Sequence, residues 1–314
     1  MSTARFFAPA FRAKLRACCT RLKAGAIHTV PHAGVDFSAA QEVAHELGVP
    51  LFLSVHDDLA YTAAGAASAS SREAAMRAAW NAASARFVIS DSLGEEYCRR
   101  YGQHSYQVVT DGLTQVHVPR AVTSHARLHI YFMGLFHMAY ERNLRALLDA
   151  LAILKREEPA LDVTVLLRCE HVRAHVTAGE IPVKVLPFGD EAQVQRDMET
   201  ADLLYMPLHF GDEHANFARY SLSTKMVTYI GSGLPILYHG PDNSAAYSLL
   251  SKHRSAITIT TLAPDEIASA LRGLDPQTRH EVAANAAALA ERDFMLTSQT
   301  ERFWGTIGRE MGRA

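Results

Sequence analysis

An excess of charge of either sign is missing. The 314 residues carry 31 Lys plus Arg against 33 Asp plus Glu, a formal net charge of −2, and that balance excludes a generally basic nucleic-acid binder. Cysteine is scarce. Cys18, Cys19, Cys98 and Cys169 show no C-x-x-C spacing, and adjacent cysteines are poorly placed to bridge each other, so neither a zinc site nor a disulfide framework is expected. No apolar run reaches the roughly 18 residues that a membrane span needs. The start, MSTARFFAPAFRAKLRACC, breaks its apolar residues with Arg and Lys where a signal peptide has a continuous core, and the expected location is cytoplasmic. No G-x-G-x-x-G follows an early strand, which sets a dinucleotide oxidoreductase last among the readings.

What is present is an ordinary globular composition, 48% apolar and 20% charged, at a length that suggests two domains. Short β-type runs at 26–30, 50–55, 85–90, 106–110, 129–134, 162–167, 183–188, 202–207 and 234–239 alternate with helical patterns. Leu144, Leu147, Leu148, Leu151 and Leu154 repeat at helical spacing over 143–157, and 191–201 reads as a helix ending just before a strand. Such alternation predicts an α/β fold of βαβ units with parallel sheets. The weakly patterned stretch 112–128 puts a boundary near 122. The expected layout is a short doubly wound domain over 1–122, a nucleotide-binding one over 123–290, and a closing helix in 291–314. Phe294, Thr297, Phe303, Trp304 and Ile307 predict that this last helix packs on the first domain. Ligands of such folds bind beyond the carboxyl ends of the strands, here in a cleft between two Rossmann-like domains.

The most informative segment is YSLSTKMVTYIGSGLPIL, residues 220–237. Ser221, Ser223 and Thr224 are helix-start residues, Lys225 follows in the first turn, and Gly231 and Gly233 end the helix before a strand. Hydroxyls, free N–H groups and one ammonium would then meet at one point, suited to a diphosphate. A capped helix with a surface lysine is the plainer alternative.

The pattern S-T-K-M-x-x-Y-x-x-x-G-x-P-I-L resembles the donor-binding segment of GT-B glycosyltransferases of the group 1 type. Four further stretches match in order: IYFMGLFHMAYERNLRALLDA (130–150), VLPFGDEAQVQRDMETADLLYMP (185–207), PLFLSVHDD (50–58), and FVISDSLGEEYCRRYG with VVTDGL (87–113). The resemblance implies a transferase that moves a sugar from a nucleotide-diphosphate donor to a hydroxyl of a saccharide or lipid-linked saccharide, with retention of configuration and no cofactor. It implies donor-diphosphate contacts from Arg142, Ser223, Thr224 and Lys225, and Gly134, Phe188 and Gly189 on the nucleotide side. His56 would face the donor sugar, with Asp57 or Asp58 orienting it or touching the acceptor.

Three departures stand out. Two glutamates usual in the family are replaced by Tyr220 and Thr228, and Leu135 stands where a second arginine is frequent. The first domain also begins after the family's opening glycine-rich loop, so an incomplete start and a natural minimal domain both stay open. A sugar-nucleotide epimerase and an inactive binding or scaffold relative therefore stay as alternatives. His209 and His214 lack the i, i+4 spacing of a zinc helix, and no metal is expected. Residues 1–25 hold no acid, and Phe11, Leu15, Cys18 and Leu22 form one stripe. Packing on the first sheet is the preferred reading of that stripe, and peripheral membrane contact through 11–23 is the other.

Overall fold

The computed structural model describes residues 4–31, 36–59, 69–121, 126–170, 172–212 and 215–312. The chain forms two compact units: residues 1–110, 219–222 and 296–314 make one, and 111–218 with 223–295 make the other. The boundary expected at 122 lies outside the described residues. Residues 111–121 already belong to the second unit, where Leu113 N–H donates to the Phe294 carbonyl at 2.7 Å and His117 N–H to the Gly231 carbonyl at 2.8 Å. Glycine makes this path possible. A Cβ on Gly231 would lie 2.6 Å from Leu113, and one on Gly233, whose φ is +73°, 2.5 Å from the Val118 carbonyl.

In the first unit, helices α1 (Ala4–Leu22), α2 (Asp36–Leu47), α3 (Ala69–Ala82) and α4 (Asp91–Tyr101) alternate with strands β1 (Ile27–Thr29), β2 (Leu51–Val55), β3 (Ala85–Val88) and β4 (Gln107–Val108). The strands form one parallel sheet in the order β1-β2-β3-β4. Every residue of β2 is buried, as a strand covered on both faces requires. Alternate side chains divide the cover. Leu53 and Val55 join Phe37, Trp80 and Tyr97 on one side. Phe52 and Phe87 meet Phe303 and Ile307 of the chain's last helix on the other.

The second unit runs β5 (Arg127–Met133), α5 (Glu141–Glu157), β6 (Asp162–Arg168), α6 (Ala174–Thr177), β7 (Val183–Leu186), α7 (Glu191–Thr200), β8 (Leu203–Pro207), α8 (Ala215–Tyr220), α9 (Thr224–Ile230), β9 (Ile236–His239), α10 (Ala245–Lys252), β10 (Ile257–Ile259), α11 (Pro264–Arg272) and α12 (Pro276–Asp293). The last helix, α13, covers Leu296–Met311. The end of α8 and all of α13 belong to the first unit. The second unit's six parallel strands lie in the order β10-β9-β8-β5-β6-β7, the doubly wound order of a Rossmann sheet. The chain winds outward from β5 in one direction and from β8 in the other, so the carboxyl ends of β5 and β8 mark the switch point. All nine expected strands are present. The tenth, β10, falls in a short Thr-rich stretch with no apolar run to announce it. The leucine face of α5 is buried. Its Asn143 amide donates to the carbonyls of Leu208 at 2.8 Å and His239 at 2.9 Å, tying the start of α5 to the ends of β8 and β9.

Candidate functional site

Strand β5 ends at Met133 and turns through Gly134, whose φ is +101°. A side chain there would be strained in any case, and a Cβ would lie 3.3 Å from Lys225 Cε. The close approach lets the lysine run along the strand end. Its Nζ stands 4.1 Å from the centre of the Phe132 ring and 5.7 Å from that of Tyr140, the residue before α5. Lys225 makes no hydrogen bond or ion pair among the described residues. Burial pulls its pKa down to about 8, and the nearby Cys169 thiol acts weakly the other way. An ammonium held by two ring faces alone is incompletely compensated for the water it has lost. Such a group gains from an incoming anion.

Ser223 sits at the N-cap of α9 without a side-chain cap bond, and Thr224 is exposed. The helix has only seven residues, so its dipole adds little beside Lys225. Arg142 is exposed in the first turn of α5. It lines a cavity of about 420 Å³ with Arg145, Asp149, Val176 and Leu262. Lys225 is not among the walls of that cavity, so the expected convergence of the two cations is absent from it. Tyr140, two residues earlier, is the member of this turn that reaches the lysine.

On the nucleotide side, Phe188 is 46% exposed and follows β7. Its loop is anchored from below by Arg168, at the end of β6, which donates to the Pro187 carbonyl at 2.9 Å and pairs with Asp197. Asp190 and Gln193 close a capping box at the start of α7. A Cβ on Gly189 would lie 2.7 Å from both Arg168 Nη1 and Gln193 Oε1. A side chain there would displace the Arg168 and Gln193 side chains that anchor the loop. Arg168, Tyr140 and Phe132 escape a reading of the sequence, although an arginine closing the apolar run DVTVLLR was a usable signal.

In the first unit, His56, Asp57 and Asp58 follow β2 and separate sharply. His56 is exposed. Asp57 accepts a hydrogen bond from the Ser221 hydroxyl at 2.8 Å. Asp58 is 0% exposed and bound to Arg100 at 2.6 Å. The Arg100 guanidinium also meets Glu73 at 2.6 Å and lies over the Tyr97 and Tyr101 rings. A carboxylate so enclosed does not reach a ligand in this conformation. Instead His56 is electrostatically coupled to His28 on β1, which was missed from sequence. His28 shares a 2.8 Å hydrogen bond with Ser54 and meets Phe303 edge-on. Burial lowers the His28 pKa, and the charge of His56 lowers it further.

Among the described residues, neither position lacking the usual glutamate is bonded to a carboxylate. Tyr220 packs into the first unit's core, and its carbonyl accepts from the Ser90 hydroxyl. Thr228 bonds to the Thr224 carbonyl. His209 accepts from Gly211 N–H at 2.8 Å, while His214 lies outside the described residues. Among the described residues, no group of three or more His, Cys, Asp or Glu side chains is placed to hold a metal ion. No described helix is long and apolar enough to cross a membrane.

No family model and no curated protein matches the sequence. Solved structures do match. HepE of Anabaena in complex with UDP is 16% identical with a TM-score of 0.68, over 95% of this chain and 82% of that one. A UDP-forming α,α-trehalose-phosphate synthase from Burkholderia xenovorans is 13% identical with a TM-score of 0.66, over 98% and 79%. A protein of Listeria monocytogenes assigned as a UDP-N-acetylglucosamine 2-epimerase is 11% identical with a TM-score of 0.59, over 100% and 82%. The chain has the GT-B fold of these proteins, with two Rossmann-like parallel sheets.

Proposed function

We propose that the protein is a glycosyltransferase that moves a sugar from a nucleoside-diphosphate sugar to a hydroxyl of a saccharide or lipid-linked saccharide. The observation that carries this reading is Lys225: an ammonium with no hydrogen bond or ion pair among the described residues, at the carboxyl end of a Rossmann sheet, held against the glycine turn after β5. An anion seated there gains a charge-assisted hydrogen bond in a poorly hydrated place. UDP is the nucleotide of choice because solved structures of the same fold hold it.

In the reaction, negative charge grows on the departing diphosphate. Lys225 stabilises it from a position fixed beforehand, with Ser223 and Thr224 as further contacts, while Arg142, which lines a cavity without Lys225, stays outside this contact. The base lies against Phe188, with Gly134 and Gly189 allowing close backbone approach. On the acceptor side His56 contacts a sugar hydroxyl, Asp57 orients that strand end through Ser221, and Asp58 acts only through Arg100. Retention of configuration follows from the family resemblance. Contact of residues 11–23 with the cytoplasmic face of a membrane would bring a lipid-linked acceptor within reach.

A second reading, binding without turnover, is favoured by Tyr220 and Thr228, which leave the ribose and sugar without their usual carboxylates. Calorimetric titration with UDP tests the shared part. Lys225→Ala should weaken binding by roughly tenfold to a hundredfold, and unchanged binding sinks the diphosphate site. Incubation with UDP-glucose alone and then with candidate acceptors separates the rest. Epimerised donor marks an epimerase, transferred sugar a transferase, and intact donor that remains bound a non-catalytic relative.

A further inference from the structure

Among the described residues of the first unit, Phe11 and Leu22 on α1 and Trp304 and Met311 on α13 remain exposed, while Leu15, on the same face of α1, packs against Cys19, Val43 and Leu51. Gln299, Phe303, Thr306 and Ile307 turn α13 toward the sheet. Trp304, Gly308 and Met311, at i, i+4 and i+7, form its outer stripe, with Trp304 62% and Met311 39% exposed. The far end of this stripe meets the turn after α1. A Cβ on Gly25, just past α1, would lie 3.4 Å from Met311 Cε, and Leu22 at the end of α1 is 68% exposed. Phe11 lies eleven residues before Leu22, three helical turns, and so shares its face. It too is exposed.

The charge around this surface is one-sided, although the whole chain is nearly neutral. Residues 1–25 hold Arg5, Arg12, Lys14, Arg16, Arg21 and Lys23 and no acid. Arg12 pairs with Glu42 and Glu46, and Arg16 lies near Glu46. Lys14, Arg21 and Lys23 have no carboxylate partner among the described residues. On α13, Glu301 and Glu310 balance Arg302 and Arg309, so the cationic excess comes from α1.

We propose that the outer faces of α1 and α13 together form one surface that rests on an anionic lipid bilayer, with Leu22, Trp304 and Met311 entering the headgroup region and Lys14, Arg21 and Lys23 meeting lipid phosphates. This rests on the reading of α1 as a membrane-contact helix and adds α13 to it. A tryptophan at such a place buries its ring while its N–H stays in contact with water or headgroups. Lysine and arginine lay their stems on the apolar surface and extend their charges to the phosphates. A second copy of this chain is the competing occupant, yet two such surfaces would bring Lys14, Arg21 and Lys23 against their own like charges.

The chain has two tryptophans. Trp80 is fully buried, so any change in emission on vesicle binding reports Trp304. The full-length protein is mixed with phosphatidylcholine vesicles with or without phosphatidylglycerol, and sedimentation and tryptophan emission are recorded. Expected is co-sedimentation with the anionic vesicles only, reversed by salt, with a blue shift of Trp304. Trp304→Gln should reduce co-sedimentation by about tenfold without moving the melting temperature. Replacing Lys14, Arg21 and Lys23 by Gln should reduce it at least as much. If no vesicle sediments the protein, both the α1 reading and this surface fall. If the cations matter while Trp304 emission stays fixed and Trp304→Gln sediments as the parent does, α1 alone is the contact and the joint surface is wrong. A concentration-dependent blue shift without lipid, together with a doubled mass, assigns the face to a second copy and overturns the proposal.

Discussion

The ammonium of Lys225 stands 4.1 Å from the centre of the Phe132 ring, and the glycine two residues after that ring is what lets it stand there. Burial holds the amine at about 8 instead of its ordinary 10.5. This is a base whose folded pKa is depressed. Below about pH 8 it is charged in both the folded and unfolded states, and the folded protein bears the full cost. Between about 8 and 10.5 stability rises with pH, and above that range the cost is gone. The difference amounts to roughly 3 kcal/mol.

Lys225→Met should therefore raise stability at pH 7, by at most about 3 kcal/mol, while weakening UDP binding tenfold or more. Urea unfolding and calorimetry of the same preparation check both halves. A destabilised variant would show that the ammonium is better compensated than its surroundings indicate. In the parent, UDP affinity should fall as pH rises through about 8.

Gly134→Ala introduces a side chain at a φ of +101° and 3.3 Å from Lys225 Cε. It should cost about 1–3 kcal/mol and weaken UDP binding. Gly48→Ala is the control: its φ is +66° and a Cβ would meet nothing within 4 Å, so it should cost stability and leave binding alone. Equal UDP binding by Gly134→Ala and the parent would separate the glycine from the lysine.

Phe188→Ala should weaken UDP binding by about fivefold to tenfold, leave pyrophosphate binding unchanged, and barely move the melting temperature, because the ring is already half exposed. Comparing the two ligands by titration checks it. Gly189→Trp is a poor probe of the same place, since a Cβ there already crowds Arg168 and Gln193.

Asp58→Asn leaves Arg100 without its buried partner and should destabilise by roughly 3–5 kcal/mol. His56→Ala should leave stability within about 0.5 kcal/mol and reduce sugar transfer. Thermal unfolding of both variants decides. A stable Asp58→Asn that has lost activity would return Asp58 to the reaction itself.

His56→Ala should also raise the pKa of His28, because one of the two causes that lower it disappears while burial remains. Proton NMR titration of the His28 ring measures this. An unmoved midpoint would mean that the two imidazoles are independent.

Much of the fold was legible because its signals are local. The apolar runs at 50–55 and 202–207 read as buried parallel strands, and the leucine spacing over 143–157 gave the amphipathic α5. β10 was not legible, since Ile257–Ile259 is held by pairing to β9 more than by its own composition. Of the site, the S-T-K run pointed to Lys225 and the end of PLFLSV to His56. Their surroundings were hidden.

Asp57 and Asp58 are indistinguishable as neighbours in a sequence. Arg100, brought in by α4, encloses one, and Ser221, returning from a distant part of the chain, engages the other. Lys225 was likewise only a lysine at a helix start until β5 and the turn before α5 laid Phe132, Gly134 and Tyr140 around it. Propensity and periodicity act over a few residues, and they determined the strands, the helices and the order of the sheets. Burial, and with it the cost of a charge and the pKa of an amine, depends on atoms that only the folded chain brings within a few ångströms, and so the tertiary structure alone decided which cation lies buried against two rings and which carboxylate is already paired.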